Sequence, residues 1–338
     1  MRYGFWMPVF GGWLRNVADE GMDASWDYAR RLTLNAERWG YDLTLIAELK
    51  LNDIKGTDQP ALDAWSTAAA LAAVTSSIEL MVAVRPNFHH PALFAKAAAN
   101  IDRISGGRLA LNVVSSWWAD EARQYGLQFD QHDDRYARTA EWLQVVDGLW
   151  TEDRFSFTGQ FYQTQEAICA PKPAARPTVY AGGESDAAKT LIAAQCDAYV
   201  MHGDPADVVA GKIADMAARR EAVGGAPMQY GMAAYAIVRD SEAEAHRELD
   251  RITTVGELPA GYANFDQWLS GTQLEREMKL QEYAVSNRGL RPNLVGTPEQ
   301  IKQRIADYEG AGLGLLLLQM SPQEEEMQRF ASQVMGTA

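Results

Sequence analysis

A short glycine-rich turn, Gly182-Gly183-Glu184-Ser185, is the part of the sequence that points most directly to chemistry. Glycines let backbone N–H groups come close to an anion. Ser185 brings a hydroxyl group and stands where it can cap the stretch Asp186–Gln195, and the N-terminus of a helix there would attract a phosphate. The pattern predicts a phosphate-binding turn; a plain loop that ends in an N-cap serine is the alternative.

Other polar side chains follow directly after short apolar runs, where a parallel barrel would gather them at one end. These clusters are Phe10-Gly11-Gly12-Trp13, Glu48-Leu49-Lys50, Arg85-Pro86 with His89-His90, Asn112 with Ser115-Ser116-Trp117-Trp118, and His202. Aromatic side chains are dense among them, so we expect a flat, partly apolar pocket, with ordinary core packing as the alternative. The aromatic candidates are Trp6, Phe10, Trp13, Trp117, Trp118 and Tyr136.

Two other kinds of chemistry lack the residue spacing that they need. The adjacent pair His89-His90 cannot aim both imidazoles at one ion, and the sequence has no HxxxH motif or Cys/His cluster, so we expect no metal site. The pair Ser115-Ser116 lacks the GxSxG elbow of a serine nucleophile. Cys169 and Cys196 have no CxxC spacing, and we expect them to be buried free thiols.

Composition and charge narrow the classes of partner. The 338 residues carry a net charge of −14, with 47% apolar and 22% charged residues, which is ordinary for a globular protein with a large core. The negative charge argues against a nucleic-acid surface and an anionic membrane surface. The N-terminal residues lack the features of a signal peptide, and the longest apolar run, Leu313–Met320, is too short to span a bilayer. We therefore expect a cytoplasmic protein.

The elements that must position these clusters alternate along the chain. Short apolar or β-branched runs predict eight strands at Tyr3–Pro8, Leu43–Ala47, Ile78–Val84, Leu109–Val114, Thr178–Ala181, Ala198–Met201, Met232–Val238 and Leu313–Leu318. Amphipathic stretches between them predict helices at Trp26–Trp39, Ala61–Val74, Pro91–Ile104, Arg135–Trp150, Asp186–Gln195, Pro205–Ala222 and Pro298–Gly310. Because no early strand ends in a GxGxxG turn, this α/β pattern favours a (β/α)₈ TIM barrel over an open dinucleotide-binding sheet.

Two segments interrupt the alternation inside what we expect to be a single domain, residues 1–338. Residues 151–172 contain FSFTGQFYQT, which predicts a small hairpin about Thr158-Gly159. Residues 257–294 are long, polar and poorly periodic, which is typical of a lid or binding loop over an active site.

Several segments together resemble one family. NIDRISGGRLALNVVSSWWADEARQYG, HDDRYARTAEWLQVVDGLW, VYAGGESDAAKTLIA, FTGQFYQTQEAICAPKP and NLVGTPEQIKQRI are similar to segments of the luciferase-like, reduced-flavin-dependent monooxygenases. The likeness covers almost the whole chain in order. Within that superfamily the chain is most similar to enzymes that oxidise sulfones, alkanesulfonates and pyrimidines.

The resemblance implies a flavin site built from particular residues. Ser185 matches the serine that holds the FMN phosphate, in the turn with Gly182 and Gly183. Asn112 matches an asparagine that contacts the flavin and is also a catalytic candidate. The remaining matches to flavin-site residues are Leu49-Lys50, Glu121 and Arg135-Tyr136.

The sequence also departs from the family pattern. Ser116 stands where related segments have glycine, in the loop expected over the flavin. Ala233 and Tyr235 stand where the alkanesulfonate enzymes carry an arginine and a histidine. Since a buried anion needs paired donors, the resemblance implies a small substrate without a permanent negative charge.

The activity implied by the resemblance is a two-component monooxygenase reaction. A separate NAD(P)H-dependent flavin reductase would supply reduced FMN, and O₂ would be the co-substrate. Oxygenative C–S cleavage of a small sulfone is the first expectation, in a homodimer or homotetramer; oxygenation of a pyrimidine-like amide ring, a deazaflavin-dependent oxidoreductase and an inactive flavin-binding relative are the alternatives. Candidate catalytic, substrate or lid contacts are Lys50, Tyr235, Trp13, Trp117, Arg288 and Arg291.

Overall fold

Eight parallel strands close into a barrel in the computed structural model, which describes residues 1–254, 262 and 280–337. The strands of the whole structure are β1 Arg2–Trp6, β2 Leu43–Ile46, β3 Glu79–Val84, β4 Leu109–Val113, β5 Phe155–Thr158, β6 Gln163–Ala167, β7 Thr178–Ala181, β8 Ala198–Met201, β9 Gln229–Val238, β10 Leu294–Gly296 and β11 Leu315–Gln319. Around the barrel they follow one another in the order β1, β2, β3, β4, β7, β8, β9 and β11, and β11 pairs with β1 to complete the ring. The predicted (β/α)₈ barrel and its eight strands are confirmed.

Helices connect successive strands and cover the outside of the barrel. They are α1 Trp26–Arg38, α2 Ala64–Val74, α3 Pro91–Ser105, α4 Ala119–Gln124, α5 His132–Thr151, α6 Asp186–Gln195, α7 Ala206–Ala222, α8 Glu242–Thr253, α9 Pro298–Gly310 and α10 Gln323–Phe330. Local chemistry sets several of their ends. Thr297 and Gln300 form a reciprocal capping box at the start of α9, and Gly106 ends α3 in the left-handed conformation, with φ 72°.

Three of these helices were not predicted from the sequence. Helix α4 is only six residues long, and α8 is rich in charged residues and buries only Ala245 and Ile252, so neither shows as an apolar stretch in the sequence. Helix α10 begins with three consecutive glutamates, Glu324–Glu326, and looks like a polar tail in the sequence. The acidic first turn suits the positive end of the helix dipole, and burial of Met327 and Phe330 docks the helix on the barrel.

The inside of the barrel is filled with side chains. Alternate residues of the strands point inward and pack as one buried cluster, which includes Leu43, Leu45, Met81, Ala110, Tyr180, Ala198, Leu315 and Leu317. The intervening residues face the helices and form the larger core. This two-sided burial explains why strands such as β11, with the sequence LLLLQ, read as continuous apolar runs.

The two interruptions have different structures. The predicted hairpin is confirmed: β5 and β6 pair antiparallel around a turn at Gly159. Of the predicted lid, residues 257–261 and 263–279 lie outside the described residues. Its C-terminal part consists of short 3₁₀ turns at Leu280–Ala284 and Ser286–Arg288. They are followed by β10, which pairs in parallel with the C-terminal end of β9.

The described residues contain no helix with both the length and the apolar character needed to cross a membrane. Both cysteines are free and buried, as predicted for Cys169 and Cys196.

Candidate active site

A cavity of about 270 Å³ opens at the carboxyl ends of the barrel strands. Its floor is formed by inward-facing residues of the upper barrel, among them Leu45, Ala83, Asn112, Val200 and Ala233. The βα loops supply the walls. This is the position at which barrel enzymes place their active sites.

One wall is the glycine turn after β7. A Cβ atom on Gly182 would lie 2.5 Å from the carbonyl oxygen of Val200, and one on Gly183 would lie 2.5 Å from the Cβ of Ala188. Only glycine therefore fits at these two positions. Ser185 caps α6 by accepting a hydrogen bond from the Ala188 N–H at 3.2 Å, and its side chain also lines the cavity.

The first turn of α5 stands against this wall. The helix begins at His132, one turn earlier than predicted, where Asp133 and Asp134 suit the positive end of the dipole. The earlier start brings His132, Arg135 and Tyr136 into the cavity wall beside the glycine turn. Arginine and tyrosine donors next to a helix N-terminus make this end of the cavity suited to an anion.

Ser116 adopts a conformation that explains why related segments have glycine there. Its φ is 52°, in the left-handed region that disfavours residues with a Cβ. Its carbonyl accepts a hydrogen bond from Arg135 Nη1 at 3.0 Å, and its hydroxyl donates to Asn87. The serine thus keeps the glycine-like backbone and is held there by two polar contacts.

A buried charge network stands behind the loops after β2 and β3. The Glu121 side chain is fully buried; Oε1 accepts the backbone N–H groups of Lys50 and Leu51, and Oε2 pairs with Arg85. Glu48 accepts the Arg85 backbone N–H at 2.9 Å and contacts the ring of His89 at 2.6 Å. Burial acts to raise the pKa of the Glu48 carboxyl, but His89, Arg85 and Lys50 outweigh it and lower the pKa. The network fixes the backbone of both loops.

Arg85 and Glu48 are the charged members of this network that reach the cavity, and Arg85 is the one that can donate hydrogen bonds there. It is 1% exposed, and its Nε and Nη2 atoms have no hydrogen-bond partner among the described residues. Nε lies 3.9 Å from Glu48 Oε2 and the guanidinium stacks over the Phe88 ring, so Nη2 is the donor left for a further acceptor.

The opposite wall comes from the loops after β1 and β2 together with the segment before β10. Trp6, Arg15, Asp53, Ile54 and Tyr283 line it. Arg15 Nη2 lies 2.5 Å from Asp53 Oδ2, and the guanidinium stacks over the Tyr283 ring at 4.0 Å. Around the ring, β1 and β7 are four strands apart, so this wall is diametrically opposite the glycine turn.

A second charge network joins the loops after β7 and β8 to the segment before β10. Lys212 Nζ lies 2.6 Å from Glu184 and 2.8 Å from Asp204, and Arg288 also pairs with Glu184. Although burial acts to raise the pKa of Glu184, His202, Arg288 and Lys212 lower it to about 2. Burial, aided by Arg288, lowers the pKa of His202 to about 4, so the cavity-lining imidazole is neutral at pH 7.

Eight of the residues singled out from the sequence come together in the cavity wall: Leu49, Asn112, Trp117, Arg135, Tyr136, Gly182, Gly183 and Ser185. They belong to β4 and to the connections that follow β2, β4 and β7, and more than a hundred positions separate the first of them from the last. Their placement agrees with a shared ligand, and their roles remain predictions.

Three predicted contacts lie behind the wall. Lys50 Nζ points away to Glu48 and Asp63, at 3.2 and 2.9 Å. Glu121 holds the loop backbone and Arg85, as described above. Trp13 is 1% exposed, donates to Gln323 at 2.5 Å and packs edge-on against Trp6, which takes the place in the wall expected for Trp13. None of the three lines the cavity, so the structure places them in supporting positions, and a direct contact with a bound molecule stays a prediction.

The other three predicted contact residues, Tyr235, Arg288 and Arg291, also lie outside the cavity wall. Tyr235, the last β9 residue that pairs with β11, is buried in an apolar cluster with Leu14, Ile237 and Val285, next to the point where β10 begins to pair with β9. Arg288 is fully buried against Glu184. Arg291 pairs with Glu282 and Asp204 at 2.7 and 3.3 Å. These arginines anchor the segment before β10 and do not line the cavity.

Sequence reasoning missed Arg15, Asp53 and Tyr283. Arg15 and Asp53 follow the first two strands, where the barrel rule directs attention, but neither belongs to a recognisable motif. Tyr283 lies in residues 257–294, where the absence of a regular apolar pattern in the sequence suggested only a lid.

The fold and the cavity together define a class of protein. A (β/α)₈ barrel with a glycine turn for an anion on one side of its mouth, and a polar–aromatic wall on the other, is built to hold a phosphorylated cofactor beside a small molecule.

Comparison with known proteins names the family. The model of the luciferase-like monooxygenase family matches residues 1–314. The chain is 31% identical over 345 residues to the FMNH₂-dependent dimethylsulfone monooxygenase of Pseudomonas putida, covering 99% of this chain and 94% of that protein. It is 30% identical to the protein of the same name from Pseudomonas fluorescens strain Pf0-1, with coverage of 99% and 93%. The chain belongs to the luciferase-like monooxygenase family.

A solved structure supports the fold at lower sequence identity. Long-chain alkane monooxygenase superimposes with a TM-score of 0.83 at 16% identity, covering 99% of this chain and 90% of that one. The resemblance inferred from the sequence segments is confirmed.

Proposed function

We propose that this protein is an FMNH₂- and O₂-dependent monooxygenase that cleaves a C–S bond of a small sulfone. The observation that carries the proposal is the full-length similarity to two dimethylsulfone monooxygenases in a chain whose glycine turn, Ser185 and Arg135 meet in one cavity. Each of these features alone fits many barrel enzymes.

The residues present fit a flavin mononucleotide. A Cβ on Gly183 would fill the space beside Ala188 and come within 3.5 Å of the Tyr136 hydroxyl, so glycine leaves a cradle for a phosphate next to Ser185. Arg85 offers buried N–H donors that have no acceptor among the described residues, and such donors suit the carbonyl groups of a flavin ring. We propose that Ser185, Arg135 and Tyr136 hold the phosphate and that Asn112 and Arg85 contact the ring.

Reduced FMN, when bound, supplies the electrons that activate O₂ for transfer of one oxygen atom to the substrate. The protein's own residues hold the bound molecules in position and shield them from water. Glu121 fixes the backbone of the loop that follows Leu49. Trp117, stacked on the buried Trp118 with ring centroids 5.3 Å apart, lines the cavity with apolar surface. Exclusion of water protects the reaction from wasteful loss of the activated oxygen.

The products follow from the chemistry of a sulfone. Oxygenation of one methyl carbon of dimethyl sulfone gives an α-hydroxy sulfone, which collapses to methanesulfinate and formaldehyde. One oxygen atom of O₂ enters the product, and the other leaves as water with the two hydrogens of FMNH₂. We propose that a separate NAD(P)H-dependent flavin reductase supplies FMNH₂.

The test is oxygen-dependent turnover with a controlled supply of FMNH₂. Dimethyl sulfone, methanesulfonate, longer alkanesulfonates and uracil are compared at equal concentration, with formaldehyde release and loss of substrate as readouts. We expect dimethyl sulfone to be preferred. A preference of more than about tenfold in kcat/KM for an alkanesulfonate or for uracil, about 1.4 kcal/mol of transition-state binding, would overturn the proposal.

A further inference from the structure

The imidazole of His202 lines the cavity but takes no part in the hydrogen-bond networks around it. Ala198 and Val200 of β8 pack inside the barrel, and the alternation of side chains along a strand places His202 on the same inward side, one residue beyond the end of β8. Its Nδ1 atom is buried and has no hydrogen-bond partner among the described residues. Because buried polar groups are normally paired, a ring left unpaired at the mouth of the barrel is suited to contact a bound molecule.

The charged groups near His202 pair with one another and leave the imidazole out. Lys212 Nζ lies 2.6 Å from Glu184 and 2.8 Å from Asp204, and Arg288 pairs with Glu184. Burial and the nearby Arg288 lower the pKa of His202 to about 4, so the ring is neutral at pH 7. A neutral imidazole carries one N–H, which can donate a hydrogen bond without placing a further charge in the cavity.

Nε2 is the ring nitrogen that a ligand can reach. Neither nitrogen makes a hydrogen bond within residues 1–254, 262 and 280–337, and only Nδ1 is shut off from the cavity. Since Nδ1 meets no acceptor there, an acceptor on a ligand at Nε2 favours the tautomer that carries its proton on Nε2.

The backbone that follows the imidazole is fixed in place. The N–H of Gly203 donates to the carbonyl of Asn287 at 2.9 Å, and a Cβ on Gly203 would lie 2.4 Å from the carbonyl oxygen of Arg288. Glycine therefore lets the segment before β10 close directly on His202. A side chain whose backbone is held in this way is pre-organised to bind a ligand in one geometry.

The position of β8 separates His202 from the proposed flavin contacts. Arg85 and Asn112, which we propose contact the flavin ring, lie at β3 and β4, whereas β8 and β9 follow β7 on its other side around the barrel. The cavity surface beside His202 is apolar and consists of Val200, Met201 and Ala233. A single N–H donor on an apolar surface suits a small molecule that has both polar oxygens and methyl groups.

We propose that His202 donates a hydrogen bond from Nε2 to a sulfonyl oxygen of the substrate. The inference rests on the proposed function and names a residue of its substrate site. The hydrogen bond orients the sulfone, while Met201 and Ala233 offer apolar surface to its methyl groups.

The test uses the different reach of amide side chains. Glutamine places an N–H close to the position of Nε2, asparagine places one close to Nδ1, and leucine has no donor. At saturating FMNH₂, kcat/KM for dimethyl sulfone should fall about tenfold in His202→Leu and in His202→Asn, mainly through KM, and His202→Gln should stay within about threefold of the wild type. Formaldehyde release is the readout.

A matched control changes a histidine elsewhere. His246→Leu replaces an exposed histidine of α8 and should leave kcat/KM unchanged. Anaerobic titration of each variant with FMNH₂ is carried out in parallel. Wild-type FMNH₂ affinity is expected throughout, because the proposed contact is with the substrate.

The outcomes separate the two levels of the argument. If the wild-type protein does not oxidise dimethyl sulfone, the proposed function fails and the inference fails with it. If the wild type is active but His202→Leu keeps its kcat/KM, or loses FMNH₂ affinity instead, only the inference is overturned. A His202→Gln variant as impaired as His202→Leu also overturns it, since a donor at Nε2 would then not matter. If His202→Leu does not fold, His202→Asn decides, because wild-type kcat/KM in that variant contradicts a hydrogen bond from Nε2.

Discussion

Ser185 combines two functions that can be separated by comparison with another serine. Its hydroxyl oxygen caps α6 and also faces the cavity. Ser241 caps α8 in the same way, with its side chain accepting from the Glu244 N–H, but it lies on the exposed surface away from the cavity. The two serines therefore share a structural role and differ in the proposed contact with phosphate.

We predict that Ser185→Ala weakens binding of reduced FMN by about 1.5–3 kcal/mol, the value of one hydrogen bond to a charged group. Loss of the cap should also lower the free energy of unfolding by about 1 kcal/mol. Ser241→Ala should lose similar stability and bind FMN normally. Anaerobic fluorescence titration measures the FMN affinity, and urea unfolding measures the stability. Equal FMN affinity in both variants would contradict the proposed contact between Ser185 and the phosphate.

Glu121 lies behind the cavity wall, and we predict that its carboxylate stabilises the folded protein. Glu121→Gln leaves the buried Arg85 with only the more distant Glu48 carboxylate, 3.9 Å from Nε, which should lower the free energy of unfolding by about 3 kcal/mol. Glu324→Gln, which breaks a pair with Arg31 near the surface, should cost at most about 1 kcal/mol. Urea unfolding of both variants checks the difference, and a loss in Glu121→Gln no larger than in the control would contradict the assigned position.

At the scale of elements, the loops after β7 and β8 depend on one charge network for their mutual position. Glu184, Asp204, Lys212 and Arg288 form it, and the neutral imidazole of His202 stands among them. A histidine kept neutral inside such a network links the stability of the loops to pH.

The pH dependence has a definite sign. Burial and Arg288 lower the folded-state pKa of His202 from 6.5 to about 4, so between these values the unfolded chain binds a proton that the folded protein does not. The free energy of unfolding should therefore decrease as the pH falls from 6.5, by about 2 kcal/mol at pH 5 from this residue alone. In His202→Gln this component should be missing, so its stability should fall less steeply over the same range. Thermal or urea unfolding from pH 7 to pH 5 gives the comparison, and parallel curves for the two proteins would refute it.

At the scale of the whole molecule, the barrel is a packed core that supports the cavity from below. Gly4 of β1 shows how closely the interior is filled. A Cβ at this position would lie 2.7 Å from Leu43 Cδ1 and 2.9 Å from Leu317 Cδ2, on the two strands that flank β1. Close packing of this kind tolerates little added volume.

We predict that Gly4→Val lowers the free energy of unfolding by about 1–3 kcal/mol through overpacking of the barrel. The control is Gly211→Ala in the middle of α7, where an added Cβ meets no atom within 4 Å. That change should raise stability by about 0.5–1 kcal/mol, because alanine loses less chain entropy on folding. Urea unfolding with an unchanged m value tests both, and a neutral Gly4→Val would contradict a filled interior.

The sequence by itself determined the repeating architecture and one end of the site. Apolar runs that alternate with amphipathic stretches identified all eight barrel strands, because burial on both faces and helical period are local patterns. The turn from Gly182 to Ser185 was recognisable for the same reason, since its glycines and serine are consecutive. Helix α4 was too short to recognise, and α8 and α10 are so rich in charged residues that they looked like polar connections; Ala245 and Ile252 in α8 and Met327 and Phe330 in α10 are the side chains that they bury.

The tertiary structure decided which side chains reach the cavity. Lys50 follows the correctly predicted strand β2 and Tyr235 lies within β9, but the Lys50 ammonium turns to Asp63, and the Tyr235 ring packs against Leu14 and Val285 outside the cavity wall. Arg15 and Asp53 lie 38 positions apart and become a pair only when the loops after β1 and β2 fold over the same rim. Strand pairing across the closed ring fixes these directions and distances, and no pattern within a single stretch of sequence contains them.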